Sequence, residues 1–312
     1  MRLRPLETVN LAALAALVAL TLLLWRRLAD PGDSLLRFSL MGAFLAVVVF
    51  LTHPARPLPK ALQVALDFYP AAFIPFVYES LGVLIAAARG GARDDLLIAA
   101  DRAILGGDVT VLLQPYVRPG LAAFFYVAYS TYYFLPIVLG AALWKKSRPE
   151  ARRFIFTLSV CFYVSYAGYF TIPAYGPRTA LADLHTVPLN EHPVAAAIER
   201  TINELEHTKL DAFPSGHTMI TVAVLIVAWR RARKLFWVLL PIALALIFST
   251  MYCRYHYVVD VIAGIVLAFA TVPLGDRLHE KLMHDTSPPR SRDVDGRTDQ
   301  GRSLEAESTR AE

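Results

Sequence analysis

Long apolar runs separated by short polar stretches dominate the first 275 residues of the chain. A helix that crosses a bilayer needs about 20 predominantly apolar residues. Eight segments approach that requirement, at about 9–25, 35–53, 62–88, 119–143, 153–172, 216–229, 235–253 and 256–274. The sixth is the shortest, and the last two nearly adjoin. The pattern predicts an all-α polytopic membrane bundle. Residues 1–61 would supply two N-terminal transmembrane helices, and 62–275 a six-helix membrane domain. Residues 276–312 are polar, mixed in charge and contain Ser287-Pro288-Pro289, which predicts a disordered cytoplasmic tail.

Composition agrees with a bilayer as solvent. Of 312 residues, 56% are apolar and only 18% charged, against about 25% charged in ordinary soluble domains. The first segment follows Arg2 and Arg4 as a signal peptide would, yet it lacks a small-x-small cleavage site and Trp25-Arg26-Arg27 follows it, so it reads as a retained helix. Cys161 and Cys253 suggest neither a disulfide framework nor a zinc cluster. The formal charge of +5 does not argue for nucleic acid, because the basic residues collect in short loops between apolar runs.

Those loops set an orientation. Lys145, Lys146, Arg148, Arg152 and Arg153 fall between the fourth and fifth segments, and Arg230, Arg231, Arg233 and Lys234 between the sixth and seventh. The positive-inside rule places both on the cytoplasmic side, with Trp144 and Trp229 as interfacial anchors. The segments at about 89–118, 173–215 and 253–256 then face outward. Arg26, Arg27 and Arg37 oppose this orientation, but the denser clusters outweigh them. Within 89–118, the spacing of Asp94, Asp95, Leu96, Leu97, Ile98, Asp101, Ile104 and Leu105 suits a short helix on the membrane surface.

Three outward pieces carry chemistry. Tyr175-Gly176-Pro177-Arg178 follows the fifth segment, and Phe213-Pro214-Ser215-Gly216-His217-Thr218 opens the sixth. Ser249 to Asp260 joins the last two. His256 and Asp260 are four residues apart and share a helix face. A carboxylate there accepts a proton from one imidazole nitrogen, fixes the tautomer, and leaves the other nitrogen nucleophilic. Alone, the pair could equally tie two helices together. Ser215 suits an N-cap. The amides of Ser215 and Gly216 at a helix start favour an anion, and His217 beside them is placed to protonate a leaving alkoxide. Alone, this too reads as an ordinary cap with an interfacial histidine. Arg178 and Arg254 match phosphate oxygens bidentately, or could snorkel to headgroups. All five charged or titratable residues fall on one predicted face.

At these residues the sequence resembles the type 2 phosphatidic acid phosphatase superfamily, over about 119–274. Pro214-Ser215-Gly216-His217, then His256 and Asp260, carry the resemblance. It implies that His256 becomes phosphorylated, Asp260 orients it, His217 serves as acid and base, and Arg178 with the Ser215 and Gly216 amides holds phosphate. It implies no metal or cofactor. Three positions depart from the pattern: Thr171 replaces a Lys, Thr179 replaces the Pro after Arg178, and Thr250 replaces an Arg after Ser249. Arg254 stands two residues before His256, where it could compensate. The departures, the extra N-terminal helices and Asp101-Arg102-Ala103-Ile104-Leu105-Gly106 look more similar to the inositol phosphorylceramide synthase branch.

The reading that follows is a multi-pass enzyme of a bacterial inner or plasma membrane, its site outside the cytoplasm. Its substrate would be a lipid phosphate, with no nucleic acid and no obligate protein partner. The first expectation is a phosphatase acting on a lipid phosphate ester or diphosphate. The alternative is a phosphotransferase passing a phospho-headgroup to an alcohol. A lipid transporter would explain Asp67 and Glu79 in the third segment, flanking Pro70 and Pro75, but transporters favour midplane sites. An inactive scaffold is a further rival. His185, Glu191, His192, Glu199, Arg200 and His207 read as a solvated loop that shapes acceptor choice. Tyr126, Tyr129 and Tyr133 read as a packing stripe on the fourth segment.

Overall fold

A computed structural model of the chain describes residues 3–53, 58–205 and 208–285. His207 and the predicted tail beyond Asp285 lie outside these. Among the described residues the protein is all-helical, with no strand. The elements, in order, are α1 Pro5–Leu23, α2 Pro31–Leu51, α3 Lys60–Phe68, α4 Pro70–Glu79, α5 Leu81–Arg89, α6 Asp94–Leu105, α7 Val109–Leu112, α8 Pro119–Ser130, α9 Leu135–Lys146, α10 Arg148–Tyr169, α11 Pro177–Ala180, α12 Pro193–Leu205, α13 Gly216–Arg231, α14 Arg233–Tyr252 and α15 Val258–Asp285.

Every predicted span falls on helix. Among the described residues, five helices are long and apolar enough to cross a membrane, or six if the pair flanking the 43° bend between Tyr133 and Leu135 counts as one span. α10 and α13 fall outside that count for a packing reason. Both sit at the centre of the bundle: α13 packs on α15, α14 and α10, and α10 on α15, α9 and α13. A helix surrounded by protein can carry hydroxyls, and Thr157, Ser159, Ser165, Thr218 and Thr221 are all buried. α13 is also short, 16 residues or about 24 Å. α1 and α2 pack on each other, and α1 also reaches α10. Lys60–Arg89 forms one span interrupted at Tyr69-Pro70 and Ser80, with Pro75 inside α4 removing a backbone donor.

Basic residues gather at one end of the bundle. The fully buried Asp67 carboxylate accepts from Arg148 Nε at 2.5 Å, Arg152 Nε at 2.8 Å, Trp144 Nε1 at 3.1 Å and Arg4 Nη1 at 3.3 Å. Asp67 is thus a structural anchor that holds the start of α1 to α3 and α10. Arg231 meets Glu150 at 3.1 Å at the same end. Arg37 is paired with Asp33 at 2.7 Å.

The helix at the C-terminal end departs from the expected boundary. α15 continues past 275 to Asp285, because Asp276 and Glu280, one turn apart, pair with Arg153 at 2.7 and 2.8 Å. Residues 276–285 are therefore helix rather than tail.

Candidate active site

The site lies at the other end of α10, where the loops before α11, α13 and α15 meet. Backbone bonds lace them together. Arg178 N–H donates to the Arg254 carbonyl at 2.8 Å, Ser215 N–H to the Asp260 carbonyl at 3.1 Å, and Ala212 N–H to the Ala174 carbonyl at 3.1 Å. Gly176 has φ +86°, and a Cβ there would fall 2.5 Å from the Tyr255 carbonyl oxygen, so only glycine lets the first loop lie against the third.

His256 is 4% exposed. Its Nδ1 lies 2.8 Å from the Ala212 carbonyl oxygen and 3.4 Å from Asp260 Oδ2. A carbonyl can only accept, so Nδ1 carries the proton and Nε2 keeps its lone pair. The orienting contact expected from Asp260 is thus shared, and the carbonyl is the nearer partner. Asp260 Oδ2 also accepts from Tyr257 N–H at 2.8 Å, closing the first turn of α15. The His217 ring lies 5.7 Å from the His256 ring, centroid to centroid, and is packed by Tyr129 at 4.5 Å and Tyr132 at 4.2 Å. Its buried Nε2 has no hydrogen-bond partner among the described residues.

Ser215 caps α13 as predicted, its Oγ accepting from Thr218 N–H at 3.2 Å. Its own amide is committed to Asp260, so it does not belong to an anion cradle. The first-turn amides of Gly216 and His217 have no intrahelical acceptor to reach and remain for one. A Cβ on Gly216 would lie 2.6 Å from the Tyr169 hydroxyl, so glycine is required here by helix packing as much as by any ligand.

The arginines depart further from expectation. Arg178 donates to the Tyr255 hydroxyl at 2.7 Å and forms an ion pair with Glu199. Arg254, at φ +66°, donates to the Val187 carbonyl at 2.6 Å. With His185, Asn190 and Glu199 they line a polar chamber of about 280 Å³. Gly216 and His217 line a different, apolar cavity of about 430 Å³. The rings of Tyr129 and Tyr255, stacked at 4.6 Å, stand between His217 and Arg178. The arginines and His217 thus line two different cavities rather than the single anion pocket expected from the sequence. Tyr126 and Tyr129 are fully buried in a core cluster, as the packing reading of the stripe expects, while Tyr133 is exposed.

Several participants were not foreseen. Glu199, expected in a solvated loop, holds Arg178, while Glu191 and Arg200 are exposed. His185 Nε2 lies 3.0 Å from Thr110 Oγ1, and burial together with the nearby Arg254 pushes its pKa down to about 4, so it is neutral at neutral pH. Asp211 takes a hydrogen bond from the Tyr78 hydroxyl, and burial raises its carboxyl above the usual range despite the neighbouring His256. On α6, Asp94 and Asp101 point inward rather than to a membrane surface. Asp94 accepts from the amides of Tyr175 and Gly176 at 3.0 and 2.8 Å and from the Tyr257 hydroxyl at 2.9 Å. Asp101 accepts from Val258 and Val259 N–H at 2.9 and 2.8 Å, capping α15 from another helix. Burial raises its carboxyl too, and the two amides offset part of that.

The family model of the PAP2 superfamily matches residues 95–274, which is more than half of the chain and contains every motif above. The chain belongs to the PAP2 superfamily. No curated protein and no solved structure matches it significantly. Membership brings a phosphatase-like or phosphotransferase-like activity to a multi-pass helical bundle, and the matched region begins after the third span, Lys60–Arg89.

Proposed function

We propose that the protein is a membrane phosphoesterase that cleaves a lipid phosphate ester or diphosphate through a phosphohistidine on His256, on the non-cytoplasmic side. The observation that carries this reading is the 2.8 Å contact from His256 Nδ1 to the Ala212 carbonyl, which leaves Nε2 as the nucleophile beside an unpaired His217 nitrogen. Nε2 attacks phosphorus, the bond to the leaving oxygen breaks, and His217 gives that oxygen its proton. Water then attacks the phosphohistidine, the P–N bond breaks, and His217 takes the proton back. The Gly216 and His217 amides would face the phosphate, and positioning with charge stabilisation would supply most of the rate. The basic end near Asp67 would face the cytoplasm under the positive-inside rule.

The polar chamber favours a second reading, transfer to an alcohol. Glu199 Oε2 is buried there without a partner among the described residues, so a hydroxyl could donate to it while Arg178 and Arg254 hold charge. In that reading the acceptor replaces water in the second step, as the resemblance to inositol phosphorylceramide synthases implies.

The test uses full-length protein and phosphate-labelled phosphatidic acid or polyprenyl diphosphate. Wild type should acquire an acid-labile, alkali-stable label that His256→Ala lacks, with turnover falling roughly 10⁴-fold or more. Full activity in that variant overturns the mechanism. Phosphate release identifies a phosphatase, whereas headgroup exchange from a phospholipid to inositol or ceramide identifies a transferase.

A further inference from the structure

Just before α13 the chain runs without helix from Thr208 to Ser215. Thr208, Leu210 and Ala212 are all buried. An irregular segment buried among helices cannot satisfy its own backbone, so its polar groups must find partners elsewhere. This strap finds them on two sides. Towards the site, Ala212 N–H donates to the Ala174 carbonyl at 3.1 Å, and the Ala212 carbonyl accepts from His256 Nδ1 at 2.8 Å. The group that sets the tautomer of His256 is therefore a loop carbonyl, and it is only as well placed as its loop.

The third span holds the other side. The Tyr78 hydroxyl donates to Asp211 Oδ2, and the Thr208 hydroxyl donates back to the Tyr78 carbonyl at 3.1 Å. Tyr78 stands in the last turn of α4, just before the break at Ser80. Carbonyls in a last helical turn lose their regular donor, so the interrupted span leaves an acceptor for Thr208. On α5, a Cβ at Gly82 would stand 3.3 Å from the Thr208 hydroxyl oxygen and 3.5 Å from its Cα, so glycine lets the strap lie directly against the helix. The Tyr78 ring is itself packed by Tyr166 of α10, with centroids 5.9 Å apart. A tie between loop and span could serve stability alone if it ended there. Asp211 and Ala212 are neighbours in the chain, however, so the bond from Tyr78 and the bond from His256 fall on adjacent residues.

We infer that Tyr78 and Asp211 are positioning residues for the nucleophile: through the strap they hold the Ala212 carbonyl against His256 Nδ1 and so keep Nε2 bare for attack on phosphorus. The inference rests on the phosphoesterase reading and adds to it a control from the third span, which lies outside the matched family region of residues 95–274. With either side chain removed, the carbonyl drifts and the ring populates the tautomer that carries its proton on Nε2, which has no lone pair there to attack with.

The test is nitrogen NMR of the full-length protein in nanodiscs, isotope-labelled at histidine and held at neutral pH. The His256 signal is identified by its loss in His256→Ala. Wild type should show a protonated Nδ1 and a bare Nε2. Tyr78→Phe keeps the ring on Tyr166 and removes the hydroxyl. It should populate the Nε2–H tautomer and lower kcat about tenfold, with KM changed by less than about twofold. Asp211→Ala should do the same, and the double variant should be no worse than the worse single one. Asp211→Asn, whose side-chain oxygen still accepts from Tyr78, should restore both tautomer and turnover. An unmoved tautomer in Tyr78→Phe, a KM that rises as kcat falls, or failure of Asp211→Asn to restore turnover overturns the inference. Tyr78→Phe carries the test if Asp211→Ala does not fold. The two readings fail separately. Tautomer loss in the variants, with neither histidine label nor phosphate release in wild type, keeps the positioning pair and sinks the phosphoesterase. Label and release in wild type, with tautomer and kcat unmoved in the variants, do the reverse.

Discussion

The two ends of α10, about 33 Å apart over 22 residues, treat charge in opposite ways. At the Asp67 end, three arginines and a tryptophan converge on one buried carboxylate that is fully satisfied. At the His217 end the charged groups are spread over several contacts, and His217 Nε2, Asp260 Oδ1, Glu199 Oε2 and the Tyr126 hydroxyl are buried without partners among the described residues, against Glu150 Oε2 at the other end. Buried polar atoms are normally paired, since each unmade bond costs about 1–3 kcal/mol. Convergence of charge on one satisfied carboxylate therefore marks the Asp67 end, and unmet hydrogen-bonding capacity marks the end where the proposed site lies.

The sharpest way to break that comparison is at its functional end. His217→Ala should lower kcat by about 10²- to 10⁴-fold while thermal unfolding in detergent changes little; a variant with normal turnover would remove the acid–base role. Next comes Asp101→Ala, which strips two amide contacts from the start of α15. We expect kcat to fall about 10- to 10²-fold through misplacement of His256, with KM nearly unchanged and partial rescue by Asp101→Asn; a matching rise in KM would instead mean a damaged binding surface. At the opposite end, Asp67→Ala should cost about 1–3 kcal/mol of stability and leave kcat within a few-fold. A larger loss of kcat than of stability would make that end functional and undo the contrast. The smallest effect concerns His185. Its pKa is depressed in the fold, so the unfolded chain binds the extra proton first, and its contribution, intact above about 6.5, fades as pH falls toward about 4. His185→Gln should flatten the loss of Tm over that window, and an unchanged slope would show that the ring is solvated.

The sequence made the helices and the paired histidines legible because both depend on short-range signals: runs of about 20 apolar residues, and a cap-and-histidine turn at 214–217. The partition of the site was not legible. Arg178 on α11 and Glu199 on α12 meet at a separation of 21 positions, and nothing local distinguishes a glutamate that pairs from one in water. The spacing Asp94, Leu97, Asp101 does hold a readable signal, since all three share one helix face and all three are buried. Read as amphipathic, that face seemed polar; the carboxylates instead point toward backbone amides at two loops. The stacking of Tyr129 on Tyr255 joins residues far apart in the chain, which periodicity on the fourth span alone does not reveal.

One short helix, α6, grips the loop before α11 with Asp94 and the start of α15 with Asp101, two turns apart on a single rod. Arg178 and His256 are therefore not tuned separately. Any strain that tilts the rod shifts the guanidinium and the nucleophile in concert, so the two chambers keep or lose their alignment as one unit.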